Sequence, residues 1–197
     1  MTNKPAPRHI GHLIGGVEQP LEGPSLDVHD PADGRIVARC AVADAAKVDE
    51  AVAVADAAFA TWRETSLTAR AQIMFAYRAL LDARRVELAT LVSAEHGKTV
   101  ADALGEVSRG VEVVEYACGI RSLLEGRRTP NVSAGVDVHD QRRPLGVMVG
   151  ITPFNFPAMV PLWMFPLSIA CGNTFVLKPS EKDPGVSVLL AQLAGEA

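Results

Sequence analysis

The sequence predicts an α/β fold: a layer of helices followed by the opening part of a doubly wound parallel sheet that is incomplete within the 197 residues. Three observations carry this. Residues 144–177 hold no charged side chain, although charged residues make up 21% of the chain. That stretch reads strand, crossover helix, strand, and a second helix follows it, the order that builds a parallel sheet. Before it, residues 44–126 form successive runs of helical period separated by start and stop signals. A membrane span would also be uncharged, but it needs about 20 apolar residues in one helix. Pro153, Pro157, Pro161 and Pro166 would interrupt such a helix repeatedly, so the stretch belongs to a protein interior.

Taken in order, residues 1–9 are polar and proline-rich and read as a frayed end. From Gly11 to Ala41, short alternating segments lie between turn signals, with Leu26, Val28, Ile36 and Val37 on strands around the turn DPADGR. Asp44 is an N-cap for a helix carrying Val48, Val52, Ala55 and Phe59 at helical spacing. A second helix opens near Ser66 or Thr68, and a third spans residues 87–96, stopped by Gly97. A long fourth spans residues 100–124 and ends at Gly126. Residues 127–143 change character and read as a protruding strand pair. The chain thus divides into 1–126 (strands and helical layer), 127–143 (strand pair) and 144–197 (start of the sheet). In the last part, residues 146–151 and 174–177 are short apolar strands of the kind buried on both faces. Residues 158–171 form a helix bent at Pro166, and residues 185–193 begin another.

Composition narrows the function. A net charge of -4 argues against a nucleic-acid binder, which would present a basic face. The N-terminus lacks a charged segment followed by an apolar one, so no secretion signal is read. Three scattered cysteines, Cys40, Cys118 and Cys171, suit a reducing compartment and a cytoplasmic protein without disulfides. The five histidines are dispersed, and no Cys/His/Asp cluster has metal-ligand spacing, so no metal is expected. Asn131-Val132-Ser133 matches a glycosylation sequon by chance.

In open parallel sheets, ligands sit beyond the carboxyl ends of the strands. Both polar clusters fall there: residues 152–155 after the first strand and 178–182 after the second. An acid just past the second strand can accept from the vicinal hydroxyls of a ribose, which makes Glu181 the candidate. Lys178 can hold the adenosine side through its ammonium. No G-x-G-x-x-G follows the first strand, so a pyrophosphate is not bound in the usual way. Read without the surrounding motif, Asn155 is better explained as a turn-former using its local hydrogen bonds. From spacing alone, Arg109 reads as an exposed helix arginine pairing with Glu106 or Glu112.

The motif P-F-N-F-P (residues 153–157) followed by C-G-N-T-F-V-L-K-P-S-E (residues 171–181) resembles the signature of the aldehyde dehydrogenase superfamily. Phe154, together with M-V-P-L-W-M-F-P, resembles its CoA-acylating methylmalonate-semialdehyde dehydrogenases. By that resemblance Thr152, Phe154, Lys178, Glu181 and Lys182 line a site for NAD. Asn155 donates its side-chain amide to the oxyanion formed when a thiolate attacks the aldehyde. Arg109 resembles the clamp for a substrate carboxylate, and residues 127–143 resemble an arm that joins subunits into a homo-oligomer. The implied reaction oxidises a small semialdehyde, passes hydride to NAD and hands the acyl group to CoA, with loss of CO2. A carboxylate at Glu181 also favours NAD over NADP. A 2′-phosphate carries about -1.5 to -2 charges, and a like charge about 4 Å away opposes it by several kcal/mol. None of the three cysteines matches the family's nucleophile motif, so the chain is expected to be an inactive N-terminal piece. A hydrolytic semialdehyde dehydrogenase and a non-catalytic interaction module are the alternatives.

Overall fold

The computed structural model describes residues 6–197. Near the N-terminus, β1 (Arg8–Ile10) leads into a hairpin of β2 (Leu13–Ile14) and β3 (Val17–Glu18). Then come β4 (Ser25–His29) and β5 (Ile36–Ala41). These make a three-stranded sheet in the order β1-β5-β4, with β1 parallel and β4 antiparallel to β5. The segment predicted to fray is therefore divided. Residues 1–5 lie outside the described residues, whereas Arg8 and His9 are in β1. Ile10 anchors that strand by packing with Val28 and Ala38.

The helical layer follows its capping residues closely. In α1 (Ala45–Trp62), Asp44 Oδ1 accepts from Lys47 N at 2.8 Å, and in α2 (Leu67–Ala83) Ser66 Oγ accepts from Ala69 N at 3.2 Å. Such caps satisfy backbone donors that a helix cannot satisfy itself. Helix α3 (Arg85–His96) ends at Gly97, whose φ of 87° is the left-handed cap conformation that glycine adopts without strain. The inward face of α1 differs from the predicted one. Ala51, Ala55, Phe59 and Trp62 are half-buried, while Val48 and Val52 are exposed. Trp62 sets this rotation by donating its indole N–H to the Ile169 carbonyl at 3.0 Å.

The predicted helix over residues 100–124 is two helices, α4 (Val100–Cys118) and α5 (Ile120–Leu123). Gly119 leaves helical geometry at ψ 13°, and the redirected chain buries Ile120 completely beside Ala117 and Met74. Next, β6 (Arg128–Ser133) and β7 (Val136–His139) form an antiparallel pair in which every residue is exposed.

The parallel unit consists of β8 (Val147–Ile151), α6 (Met159–Ala170), β9 (Thr174–Lys178) and α7 (Gly185–Glu196). Strands β8 and β9 pair in parallel from Val147↔Thr174 to Ile151↔Lys178. They are not buried on both faces as the sequence predicts. Val149 is 58% exposed and Ile151 72%, and among the described residues β8 has no strand partner other than β9. The opposite side is packed, with Gly150 against Phe175 and Met164.

The main core lies where α2, α3, α4, α6 and α7 meet, around Tyr77, Leu81, Leu88, Val107, Val114, Leu162, Phe165 and Leu190. Tyr77 satisfies its buried hydroxyl on the Leu190 carbonyl at 3.0 Å. The buried Arg70 donates to the carbonyls of Ala170 (2.8 Å) and Thr65 (3.0 Å), closing the end of α6. Gly172 there has φ 94°, and a Cβ would stand 2.6 Å from Arg70 Nη1. Helices α4 and α6 approach closely at Gly110, where a Cβ would lie 2.5 Å from Leu162 Cδ1 and 3.0 Å from its Cβ. Leu162 is fully buried and has little room to give. Gly110→Val is therefore expected to destabilise the chain by about 1–3 kcal/mol through overpacking. Chemical denaturation checks this, and an unchanged midpoint would show that the α4–α6 contact is looser than described.

Candidate functional site

The site is built at the carboxyl ends of β8 and β9. Because Ile151 and Lys178 are register partners, the two strands finish side by side. Thr152 N–H extends the ladder one step further, donating to the Lys178 carbonyl at 3.1 Å. Thr152 is buried and its hydroxyl has no hydrogen-bond partner among the described residues. From there the proline-bounded turn carries Phe154 outward, and the Lys182 ammonium sits 4.2 Å from the centre of its ring. Lys178 Nζ donates to Glu181 Oε2 at 3.1 Å. The Glu181 backbone N–H and this lysine hold the Glu181 carboxyl below the usual carboxylate range. Thr152, Phe154, Lys178, Glu181 and Lys182 thus meet on one surface, and four of the five are exposed.

Asn155 lies one residue further along the turn. It is exposed, its carbonyl accepts from Lys98 Nζ at 3.0 Å, and its side-chain amide has no protein partner among the described residues. Arg109 makes no hydrogen bond or ion pair with these residues. Its side chain is 70% exposed and donates to Glu112 Oε2 at 3.3 Å, the second of the two partners that helical spacing allows.

Sequence reasoning missed the residues underneath. Glu106 is 4% exposed, and its Oε1 accepts from the N–H groups of both Ala158 (2.8 Å) and Met159 (3.1 Å), capping α6. Its Oε2 meets Lys98 Nζ at 2.5 Å, and that ammonium also lies 4.6 Å from the Phe156 ring centre. A signal existed: Ala103, Glu106, Val107 and Gly110 share one helical face, and all four are buried. Glu95 does the same for α7, accepting from Gly185 N at 2.8 Å while paired with Arg8. Burial raises the Glu95 carboxyl despite Arg8. Ser187 Oγ donates to the Pro157 carbonyl at 3.0 Å, joining α7 to the turn.

Asp183 completes this layer. It is 1% exposed, and neither carboxylate oxygen is in hydrogen-bond geometry with a described group. Burial pushes its carboxyl up to about 7; Glu95 and Glu106 push the same way, while the nearby Ser180 hydroxyl and Lys98 oppose.

The three cysteines are free, and burial raises each thiol, which keeps them protonated at neutral pH. Among the described residues no group of three or more His, Cys, Asp or Glu is placed to hold a metal, and no helix is long and apolar enough to cross a membrane. A groove of about 840 Å³ lies elsewhere, between Arg8, Ile10, Leu91, Glu95, Val188 and Gln192. The strand-end surface is an open ledge, with Phe154, Asn155, Lys178, Glu181 and Lys182 all exposed.

The sequence profile of the Aldehyde dehydrogenase family matches residues 19–197. The chain belongs to the aldehyde dehydrogenase family. It is 47% identical over 188 residues to the malonate-semialdehyde dehydrogenase of Pseudomonas aeruginosa, covering 95% of this chain and 38% of that protein. It is 47% identical over 197 residues to the acylating mitochondrial methylmalonate-semialdehyde dehydrogenase of Arabidopsis thaliana, covering 100% of this chain and 32% of that protein. The crystal structure of the Oceanimonas doudoroffii methylmalonate-semialdehyde dehydrogenase superposes with a TM-score of 0.94 at 48% identity, over 96% of this chain and 39% of that one. A Sinorhizobium meliloti protein assigned the same activity, crystallised with NAD, gives 0.94 at 41% identity, over 98% and 40%. The chain thus spans between about a third and two-fifths of the length of these aldehyde dehydrogenases.

On this aldehyde dehydrogenase chain the ledge offers a carboxylate that can accept from vicinal hydroxyls, two ammonium donors and an aromatic face. Asp183 gives it a pH dependence of stability. Its folded pKa lies above its unfolded value, so the native state binds the extra proton between the two values. The stability it contributes is full below about pH 4 and is lost as pH rises through about 7. Asp183→Asn is expected to match the wild type near pH 4 and exceed its stability above pH 7, by at most about 4 kcal/mol. Thermal melts across this range check it, and parallel profiles for the two proteins would contradict it.

Proposed function

We propose that this chain supplies the nucleotide ledge and the oxyanion donor of an NAD-dependent, CoA-acylating dehydrogenase of malonate or methylmalonate semialdehyde. The single observation that carries the reading is the convergence of Phe154, Asn155, Lys178, Glu181 and Lys182 at two adjacent strand ends. The activities named for the relatives and the NAD bound by one of them support it.

In this reading Glu181 accepts from the ribose hydroxyls and Lys178 donates alongside it. The Lys178–Glu181 pair is exposed, so exchanging it for ligand contacts costs little. Thr152 and Phe154 border the nucleotide, and Lys182 fixes the Phe154 ring. Bound NAD supplies the hydride acceptor. The Asn155 amide donates to the oxygen that gains charge when the aldehyde is attacked. A neutral donor suits that role, because it stabilises developing charge without neutralising a nucleophilic thiolate. One such donor is worth about 3 kcal/mol. Arg109, whose contact with Glu112 is likewise exposed, can turn its planar fork to a substrate carboxylate. CoA accepts the acyl group, and the exposed β6–β7 pair joins subunits into a homo-oligomer.

Calorimetric titration tests the reading. The chain is expected to bind NAD more tightly than NADP, and Glu181→Gln is expected to weaken NAD by about tenfold or more, the loss of one charge-assisted hydrogen bond. An unchanged affinity would remove Glu181 from the site. With malonate semialdehyde, NAD and CoA the chain by itself is expected to form no NADH, since none of its three cysteines matches the nucleophile motif that the resemblance implies. Turnover above background would overturn the assignment of the nucleophile to a residue outside this chain.

A further inference from the structure

The Asn155 turn is fastened at several points. Thr152 N–H is held by β9, the Pro157 carbonyl by Ser187, and the Ala158 and Met159 N–H groups by Glu106. Asn155 itself makes one hydrogen bond among the described residues, from Lys98 Nζ to its carbonyl. That ammonium has a second partner in Glu106 Oε2 and a third in the Phe156 ring face, which orients it fully. The Lys98 side chain is 12% exposed and that of Glu106 1%, so the pair is shielded from water and salt.

We infer that Lys98 and Glu106 are positioning residues: their shielded ion pair fixes the Asn155 peptide and thereby the place from which its free amide is offered. The inference rests on the reading of Asn155 as the oxyanion donor, where displacement by about 1 Å can cost a hundredfold in rate. One carboxylate does two jobs here. Oxygen Oε1 starts α6, and Oε2 holds the lysine that reaches past it to Asn155. Glu106 and Lys98 stand on α4 and just before it, so the helical layer sets the position of a strand-end turn remote in sequence.

Lys98→Met alone would strand a buried carboxylate and can unfold the chain. The double variant Lys98→Met/Glu106→Gln avoids this, because glutamine still accepts from Ala158 and Met159 while no charge remains. Backbone order parameters from nitrogen relaxation are the readout, which a purely structural role would not move locally. In the double variant the values at Asn155 and Phe156 are expected to fall from about 0.85 to below about 0.6. Those of α4 and α6 are expected to hold, and Lys98→Arg is expected to keep the turn ordered. Unchanged order at Asn155 would overturn the inference. Loss of order throughout α4 and α6, or failure to fold, would also overturn it by making the pair structural only. Adding NAD to the wild type separates the two readings. Absence of shifts at Phe154 and Glu181 would refute the nucleotide ledge, while the order measurement would still decide the role of Lys98 and Glu106.

Discussion

A carboxylate with almost no access to water holds the two halves of this chain together. Glu106 accepts two backbone N–H groups at the start of α6 and the ammonium of Lys98. Burying that charge is costly, and three donors, one of them an ammonium, offset the cost. The arrangement fixes α4 against α6, and the close passage at Gly110 continues the same seam one turn further along. Since α6 is the crossover between β8 and β9, its start also decides where the turn after β8 can run. The geometry of the strand ends is therefore inherited from the helical layer beneath them.

Glu95 repeats the device at α7. The favourable end of a helix dipole faces each carboxylate, which adds to the hydrogen bonds. Burial first, and charge balance after it, explain Asp183. Arg8 answers Glu95 and Lys98 answers Glu106, which leaves the third carboxyl of the layer without a cation of its own. A buried acid in that position keeps its proton to higher pH, as the raised Asp183 carboxyl does. Above this layer the exposed groups are paired only weakly, Lys178 with Glu181 and Lys182 with Phe154. A rigid, desolvated base under a loosely paired ledge suits a surface that exchanges its own contacts for those of a ligand.

Much of this was legible locally. Asp44, Ser66 and Gly97 act through hydrogen bonds and backbone angles within a few residues, so pattern alone located the helices they bound. The uncharged run from 144 to 177 likewise delivered the strand–helix–strand order and the two polar strand ends. What escaped depends on contacts distant in sequence. The break at Gly119 exists to bury Ile120, and the rotation of α1 is set by Trp62 reaching Ile169. Apolar composition promised strands covered on both sides, but composition cannot say which neighbours arrive, and Val149 and Ile151 remain open. From helical spacing alone, Glu106 reads only as a surface partner for Arg109. Pairwise helix rules assume solvent, whereas its position on the apolar face of α4 was the feature that mattered. Nothing in the local sequence marks Asp183 as buried.

The central claim is that one nucleotide lies across the ends of β8 and β9, with Glu181 toward its ribose and Asn155 toward its reactive end. Intermolecular nuclear Overhauser contacts between NAD and isotope-labelled chain test this most directly. The account predicts contacts from the adenosine ribose protons to Lys178 and Glu181, and from the nicotinamide protons to the Asn155 side-chain amide. Contacts confined to the groove between Ile10, Leu91 and Val188, with none at the strand ends, would contradict it.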